Sequence, residues 1–355
     1  MTASEPWRSL ARTLLGDPEL TGPEVATQAG IDFEQAGRLW RALGFPPVPD
    51  DERVFTHPDV EVLRRIRGLL EEEGADQGVL LQLTRVTGQS LARVAEAQVA
   101  SSTDLTVLMQ ADVADEIKAD LIASRFRALL PQLEPLLGYV WRRHLLAALL
   151  RVVATPASQV KEGRTLVVGF VDLVGFTAVS QQLTEHELAA MVDRFEQVAY
   201  EHIPQRGGRV VKMIGDEVMF SVADAGAAAE IALGFVEAHG DGGVLPEMRV
   251  GLAVGPTLSW EGDLFGPTVN LASRLVNLAR PGTVLISEEL GRALRDRASI
   301  TLRHLRPLPI KGIGRVRVWV LRPATESVNA PAPGSSLRRR RDRTRRPGEA
   351  HDERE

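Results

Sequence analysis

At 355 residues the chain has room for two domains of ordinary size, and its 44% hydrophobic and 25% charged residues suit packed domains that face water. It contains no cysteine, which excludes disulfides, thiolate zinc sites and cysteine nucleophiles together. The formal charge of −5 hides an asymmetry: Arg338 to Arg346 holds seven arginines against Asp342 alone, a local +6 that leaves about −11 for the remainder. A body that acidic argues against non-specific nucleic-acid binding by its folded part. Any metal must sit on oxygen or imidazole ligands, and carboxylates favour hard divalent ions. No run approaches the roughly 18–20 apolar residues that span a bilayer. The best stretch, Leu145 to Val153, is short and has Arg142, Arg143 and Arg151 about it. Met1 to Pro6 lacks the basic residue and following apolar core of a signal peptide. A cytoplasmic protein without a transmembrane segment is expected.

Residues 1–155 read as helices throughout, an all-α domain of short amphipathic runs punctuated by Gly and Pro. Thr21 is placed to cap a short helix with Pro23 in its first turn, Gly30 makes a turn, and Phe33 to Leu43 forms a second helix. Two short helices around a Gly turn resemble a helix-turn-helix. With Arg53-Val54-Phe55-Thr56 and a helix over Asp59 to Glu73, the start resembles that of a winged-helix regulator of the MerR type. The second helix sets Glu34 and Gln35 beside Arg38 and Arg41, so it is no basic stripe, and a compact packing unit is the favoured reading. A long helix is expected from Leu129 to about Val160, started or broken near Pro131 and Pro135. A linker then covers 156–164.

The rhythm changes after the linker. Leu166 to Val171 is a continuous apolar run, as in a strand buried on both faces. A helix from Thr184 to about His202 opens on a capping box of Thr184 and Glu187. Arg209 to Ile214 and Glu217 to Val222 form a hairpin about Gly215-Asp216, and Ala225 to His239 is helical. Strands follow at Met248 to Val254 and near Leu258, a helix at Thr268 to Ala279, and strands at Thr283 to Ser287 and Arg315 to Leu321. That order is α+β and ferredoxin-like with extra elements at its end, over 165–323. Residues 324–355 carry Pro, Ala, Ser and Arg without periodicity and are read as a disordered, Arg-rich tail.

Asp172 ends the first buried strand, where an ionised carboxylate is costly unless it is paired or binds a metal. Asp216 sits at the hairpin tip, and adjacent central strands would bring it close to Asp172. Two carboxylates so placed can hold a pair of divalent ions. The turn after Asp172 leads toward a helix whose free N–H groups can meet phosphate oxygens. Asn270 and Arg274 lie four apart on one helix face.

Phe170 to Thr177, Lys212 to Glu217 and Gly266 to Arg274 together resemble the class III nucleotidyl cyclase catalytic domain over about residues 163 to 322. The resemblance implies that Asp172 and Asp216 bind two divalent cations, Mg2+ or Mn2+, with the Leu173 carbonyl as a further ligand. It implies that Gly175, Phe176 and Thr177 lie against the substrate phosphates and that Lys311 contacts the terminal ones. Lys212 matches the partner of adenine N1 and Asp263 that of the N6 amine. Adenine presents an acceptor beside a donor, so this pair points to ATP; guanylyl cyclases typically carry Glu at the lysine position. Asn270 is implied to orient the ribose and Arg274 to meet charge developing on the α-phosphate. An arginine that many members carry just after the position of Gly255 is replaced here by Pro256. The expected activity is ATP to 3′,5′-cyclic AMP and pyrophosphate, in a homodimer whose sites draw residues from both chains. More loosely, the helical half resembles the regulatory domain of actinobacterial cyclases, some of which respond to pH, and His144 has the right unperturbed pKa for such a role. Two rivals are a diguanylate cyclase and a DNA-binding regulator with a cyclase-like sensor domain.

Overall fold

The computed structural model describes residues 7–72, 76–153, 164–238 and 245–324. The expected linker, apart from Arg164, and the Arg-rich tail, apart from Ala324, lie outside the described residues. The helical half contains α1 (Arg8–Leu15), α2 (Gly22–Ala29), α3 (Phe33–Ala42), α4 (His57–Glu72), α5 (Gln77–Ala100), α6 (Thr103–Gln110) and α7 (Asp115–Val153).

The start folds as its residues dictate. Thr21 caps α2 in a reciprocal box with Glu24, and Gly30 closes the helix in the left-handed conformation. Arg64 and Arg67 of α4 donate to the carbonyls of Gln28 and Ala29, so the end of α2 is satisfied from a neighbouring helix. Trp40 of α3 packs on Phe45 and Phe55, and Arg38 pairs with Glu34 at 3.6 Å. The second helix of the helix-turn-helix-like start, α3, thus spends Trp40 on packing, and one of its two cations faces an acid of its own helix.

The long helix differs from expectation. α7 begins at Asp115, fourteen residues before Leu129, and runs through both Pro131 and Pro135 without ending. Each proline removes one backbone bond, but Asp115 and Glu116 favour the N-terminal end, and α1 and α6 pack against the same helix.

The second half is a mixed sheet in the order β2-β3-β1-β4-β6-β10-β7. Its first four strands are β1 (Arg164–Leu173), β2 (Arg209–Ile214), β3 (Glu217–Val222) and β4 (Met248–Trp260). They form the antiparallel ferredoxin-like core with β1 in the middle. Helices α8 (Phe176–Ser180), α9 (Glu185–Gln205) and α10 (Ala225–Ala238) follow β1 and β3 in the chain. The apolar faces of α9 and α10, including Phe195, Ile231 and Phe235, cover one face of the sheet against Val171, Val250 and Leu252. The other face packs Phe170, Met219 and Ala253 on α11 (Pro267–Leu278) through Ala272 and Val276. A Cβ at Gly251 would strike the backbone of Ala272 and Val276, so that glycine allows α11 to lie directly on β4.

Three features go beyond the expected elements. Strand β4 runs unbroken past Gly255 and Pro256 to Trp260, where two strands were expected. It turns into a short β5 (Asp263–Phe265) that was not anticipated. The closing region holds β6 (Val284–Ser287), α12 (Glu288–Ala293), β7 (Ile300–His304), a ribbon of β8 (Leu308–Ile310) with β9 (Gly314–Val316), and β10 (Val318–Pro323). The single expected strand from Arg315 to Leu321 is therefore two.

Candidate active site

The end of β1 gathers three acids. Register pairs Asp172 with Glu217 of β3 on one side and with Arg249 of β4 on the other. The Leu173 N–H donates to the Asp216 carbonyl at 3.1 Å, which ties the hairpin tip to the strand end. Asp216 follows Gly215 in its left-handed conformation. The two aspartates singled out from sequence are thus brought together, with Leu173 between them. Glu217 and Arg249 were not singled out. Glu217 stands next to Asp216 in the sequence and could have been found by that adjacency; Arg249 is visible only through the β1–β4 register.

Lys212 and Asp263 meet as well. Lys212 Nζ lies 2.5 Å from Asp263 Oδ2, although the residues are 51 apart in sequence. Asp263 Oδ1 accepts from the Leu264 N–H at 2.7 Å, so one oxygen is fixed by backbone and the other by the lysine. The β4–β5 turn places Glu261 and Gly262 at positive φ (53° and 79°), the tight hairpin geometry that puts Asp263 at the first position of β5. Arg209, at the start of β2, donates to the Gly262 carbonyl, and Arg85 of α5 pairs with Glu261 at 3.2 Å. The helical half therefore touches the hairpin that carries Asp263.

Asn270 and Arg274 project from the exposed side of α11, whose opposite side is buried at Thr268, Ala272, Leu275 and Val276. Among the described residues no hydrogen bond or ion pair joins them to Asp172, Asp216, Lys212 or Asp263. Lys311 is exposed in the turn between β8 and β9. Gly175, left-handed at φ 74°, opens α8, and Phe176 and Thr177 form its first turn immediately beyond the Asp172 strand end. His144 lies exposed on α7.

The electrostatics follow from crowding. Burial pushes the Glu217 carboxyl up to about 7, and the neighbouring Asp172 and Asp216 add to the rise against the pull of Arg249 and Lys212. Asp172 is also raised by burial, with Arg249 opposing and Asp216 adding. Half-buried acids in this state call for positive charge. Among the described residues no group of three or more His, Asp or Glu forms a cage for a metal. Two carboxylate arms fit a divalent ion that completes its shell with phosphate oxygens, the usual arrangement for the smaller hard cations.

The model described as adenylate cyclase regulatory domain matches residues 1–153, and that described as adenylate and guanylate cyclase catalytic domain matches residues 159–323. The chain is 37% identical over 324 residues to an adenylate cyclase of Streptomyces coelicolor, spanning 84% of each chain. It is 38% identical over 286 residues to an adenylate cyclase of Streptomyces griseus, spanning 80% of this chain and 71% of that one. Against a pH-sensitive adenylate cyclase of Mycobacterium tuberculosis the identity is 31% over 297 residues, 80% of this chain and 73% of the relative.

Glu217 keeps its proton in the folded chain up to about pH 7, whereas the unfolded chain releases it near 4.5. Folding takes up a proton between those values, so this group's contribution to stability falls as the pH rises through the window. In metal-free buffer, Glu217→Gln should melt above the wild type at pH 8, with the gap closing toward pH 5. A gap in melting temperature that does not change with pH would refute this account of the cluster.

Proposed function

Because the chain belongs to the class III adenylate cyclases that carry a helical regulatory domain ahead of the catalytic one, we propose that it converts ATP to 3′,5′-cyclic AMP and pyrophosphate at sites shared between two copies. The observation that carries the choice of ATP is the Lys212–Asp263 pair. A lysine donor beside a carboxylate acceptor complements adenine N1 and the N6 amine, and is mismatched to guanine. A diguanylate cyclase would need no such pair. The full regulatory-plus-catalytic match with named adenylate cyclases does not favour a DNA-binding regulator.

In the reaction the ribose 3′ oxygen loses its proton and forms a bond to the α-phosphorus, while the bond from that phosphorus to the bridging oxygen of the β-phosphate breaks. Asp172 and Asp216, with the Leu173 carbonyl, would hold two divalent cations, Mg2+ or Mn2+. When bound, these supply a lowered pKa for the attacking hydroxyl and neutralise phosphate charge. Lys212 and Asp263 position the base, Asn270 orients the ribose, and Arg274 meets the charge that grows on the α-phosphate. Lys311 and the Gly175-Phe176-Thr177 turn take the outgoing phosphates. Positioning and charge stabilisation account for most of the acceleration. Its substrate is a cytoplasmic nucleotide, and we place the enzyme in that compartment.

Two observations support a dimer. Among the described residues, Asn270 and Arg274 form no hydrogen bond or ion pair with the aspartates of their own chain. Ile214, Leu258, Trp260 and Phe265, on the strands flanking Asp216 and Asp263, are each about half exposed, a patch suited to a second copy. Regulation by the helical half is supported by the Arg85–Glu261 contact and by the pH-sensitive relative.

Three outcomes are expected. Purified protein with Mn2+ should form cyclic AMP from ATP and little product from GTP, and Lys212→Glu combined with Asp263→Cys should reverse that preference; no cyclic AMP at any pH or metal would end the reading. Asp172→Ala and Arg274→Ala chains, each inactive alone, should regain up to about a quarter of wild-type activity when mixed, because each mixed dimer keeps one intact site. Failure to recover on mixing would count against shared sites. Arg85→Ala should raise turnover at neutral pH and reduce its acid-to-neutral ratio. The effect should not exceed about fivefold, since an ion pair this exposed is worth about 1 kcal/mol at most, and an unchanged ratio would remove the contact from regulation.

A further inference from the structure

Arg249 is the one cation bonded directly to the carboxylates at the end of β1 among the described residues. Its Nε donates to Asp172 Oδ2 at 2.6 Å, and its Nη1 lies 3.4 Å from the Asn277 carbonyl at the end of α11. The pair is largely shielded from water, with the Asp172 side chain 15% and the Arg249 side chain 27% exposed. Register explains the contact: Arg249 is the residue of β4 directly opposite Asp172. The flanking Met248 and Val250 turn into the core under α9 and α10. Alternation along the strand therefore sends Arg249 to the α11 face, the same face as Asp172.

A carboxylate offers two oxygens. Oδ2 is held by a short charge-assisted bond, which restricts the rotation of the Asp172 side chain and leaves Oδ1 as the oxygen outside that bond. We propose that Arg249 is a positioning residue for cation binding: by fixing Oδ2 of Asp172 it presents the second oxygen to the ion that arrives with the triphosphate. The anchor is itself held, because the Asn277 carbonyl receives the other arm of the same guanidinium. Ligating carboxylates are commonly oriented by such outer hydrogen bonds, whose loss costs roughly tenfold to a hundredfold in metal affinity or activity. The inference rests on reading Asp172 as a metal ligand, and the experiment separates the two.

Mn2+ binding to the full chain is measured by electron paramagnetic resonance in the presence of 3′-deoxy-ATP, which cannot cyclise, alongside the melting temperature. Arg249→Met should bind Mn2+ roughly tenfold or more weakly than the wild type, and the Mn2+ concentration for half-maximal cyclic AMP formation should rise by the same factor. The KM for ATP at saturating Mn2+ should stay within about twofold, because the base and ribose contacts lie elsewhere. Arg249→Lys keeps the charge and a donor but cannot bridge Asp172 and Asn277, so it should fall between the two and serve if the Met variant folds poorly. Wild-type or tighter Mn2+ binding in both variants would overturn the proposal. Should Asp172→Ala bind Mn2+ as the wild type does, the assignment of Asp172 falls and takes this one with it.

Discussion

The catalytic half depends on the burial of β1 between β3 and β4. The β4 ladder runs the length of the strand, Arg164 to Leu173, and the β3 ladder covers Val167 to Asp172. A strand held on both edges cannot slip by one residue without turning its whole apolar set to the wrong face. That rigidity fixes where Asp172 emerges and what stands on either side of it. The acids gathered there are destabilising in isolation, and the fold tolerates them because Arg249 offsets part of the charge and a bound cation would offset more.

Two hairpins are hung from that strand. The β2–β3 turn brings Asp216 to the strand end through the Leu173–Asp216 backbone bond. The β4–β5 turn brings Asp263 to Lys212. Lys212 and Asp216 therefore share the β2–β3 hairpin as a common support, and a shift of that hairpin moves both. The contact of Arg85 with Glu261 reaches the other hairpin, the β4–β5 turn before Asp263, from the helical half. A single exposed ion pair is a weak lever, which suits a domain that adjusts a site without building it.

Much of this was legible in the residues. The Thr21 and Thr184 caps, the Gly30 turn and the β2–β3 hairpin follow from short-range chemistry, and the structure places them where that chemistry puts them. The run from Leu166 to Val171 and the Asp172 that follows it also read directly. The departures have physical causes. Prolines at 131 and 135 were read as boundaries, but α7 runs on through both, each removing a single backbone bond from a helix of 39 residues. Gly255-Pro256 was read as a break, but β4 continues through it, with the Pro256 carbonyl accepting from Thr268 of α11 at 2.8 Å. The short pieces β5, α12, β7 and β8 hold three to six residues each, too few for a period to show.

What the sequence by itself determined is the inventory: which strand ends on a carboxylate, which hairpin carries a second, and which residues share one helix face. These are local matters, set by side-chain chemistry and by periods of two and 3.6. Only the tertiary structure decided the partners. Lys212 and Asp263 meet because the β4–β5 turn folds back toward β2, and Arg249 reaches Asp172 because antiparallel register sets residues 77 apart opposite each other. Such pairings depend on the registry of distant strands, and no neighbouring residue encodes it.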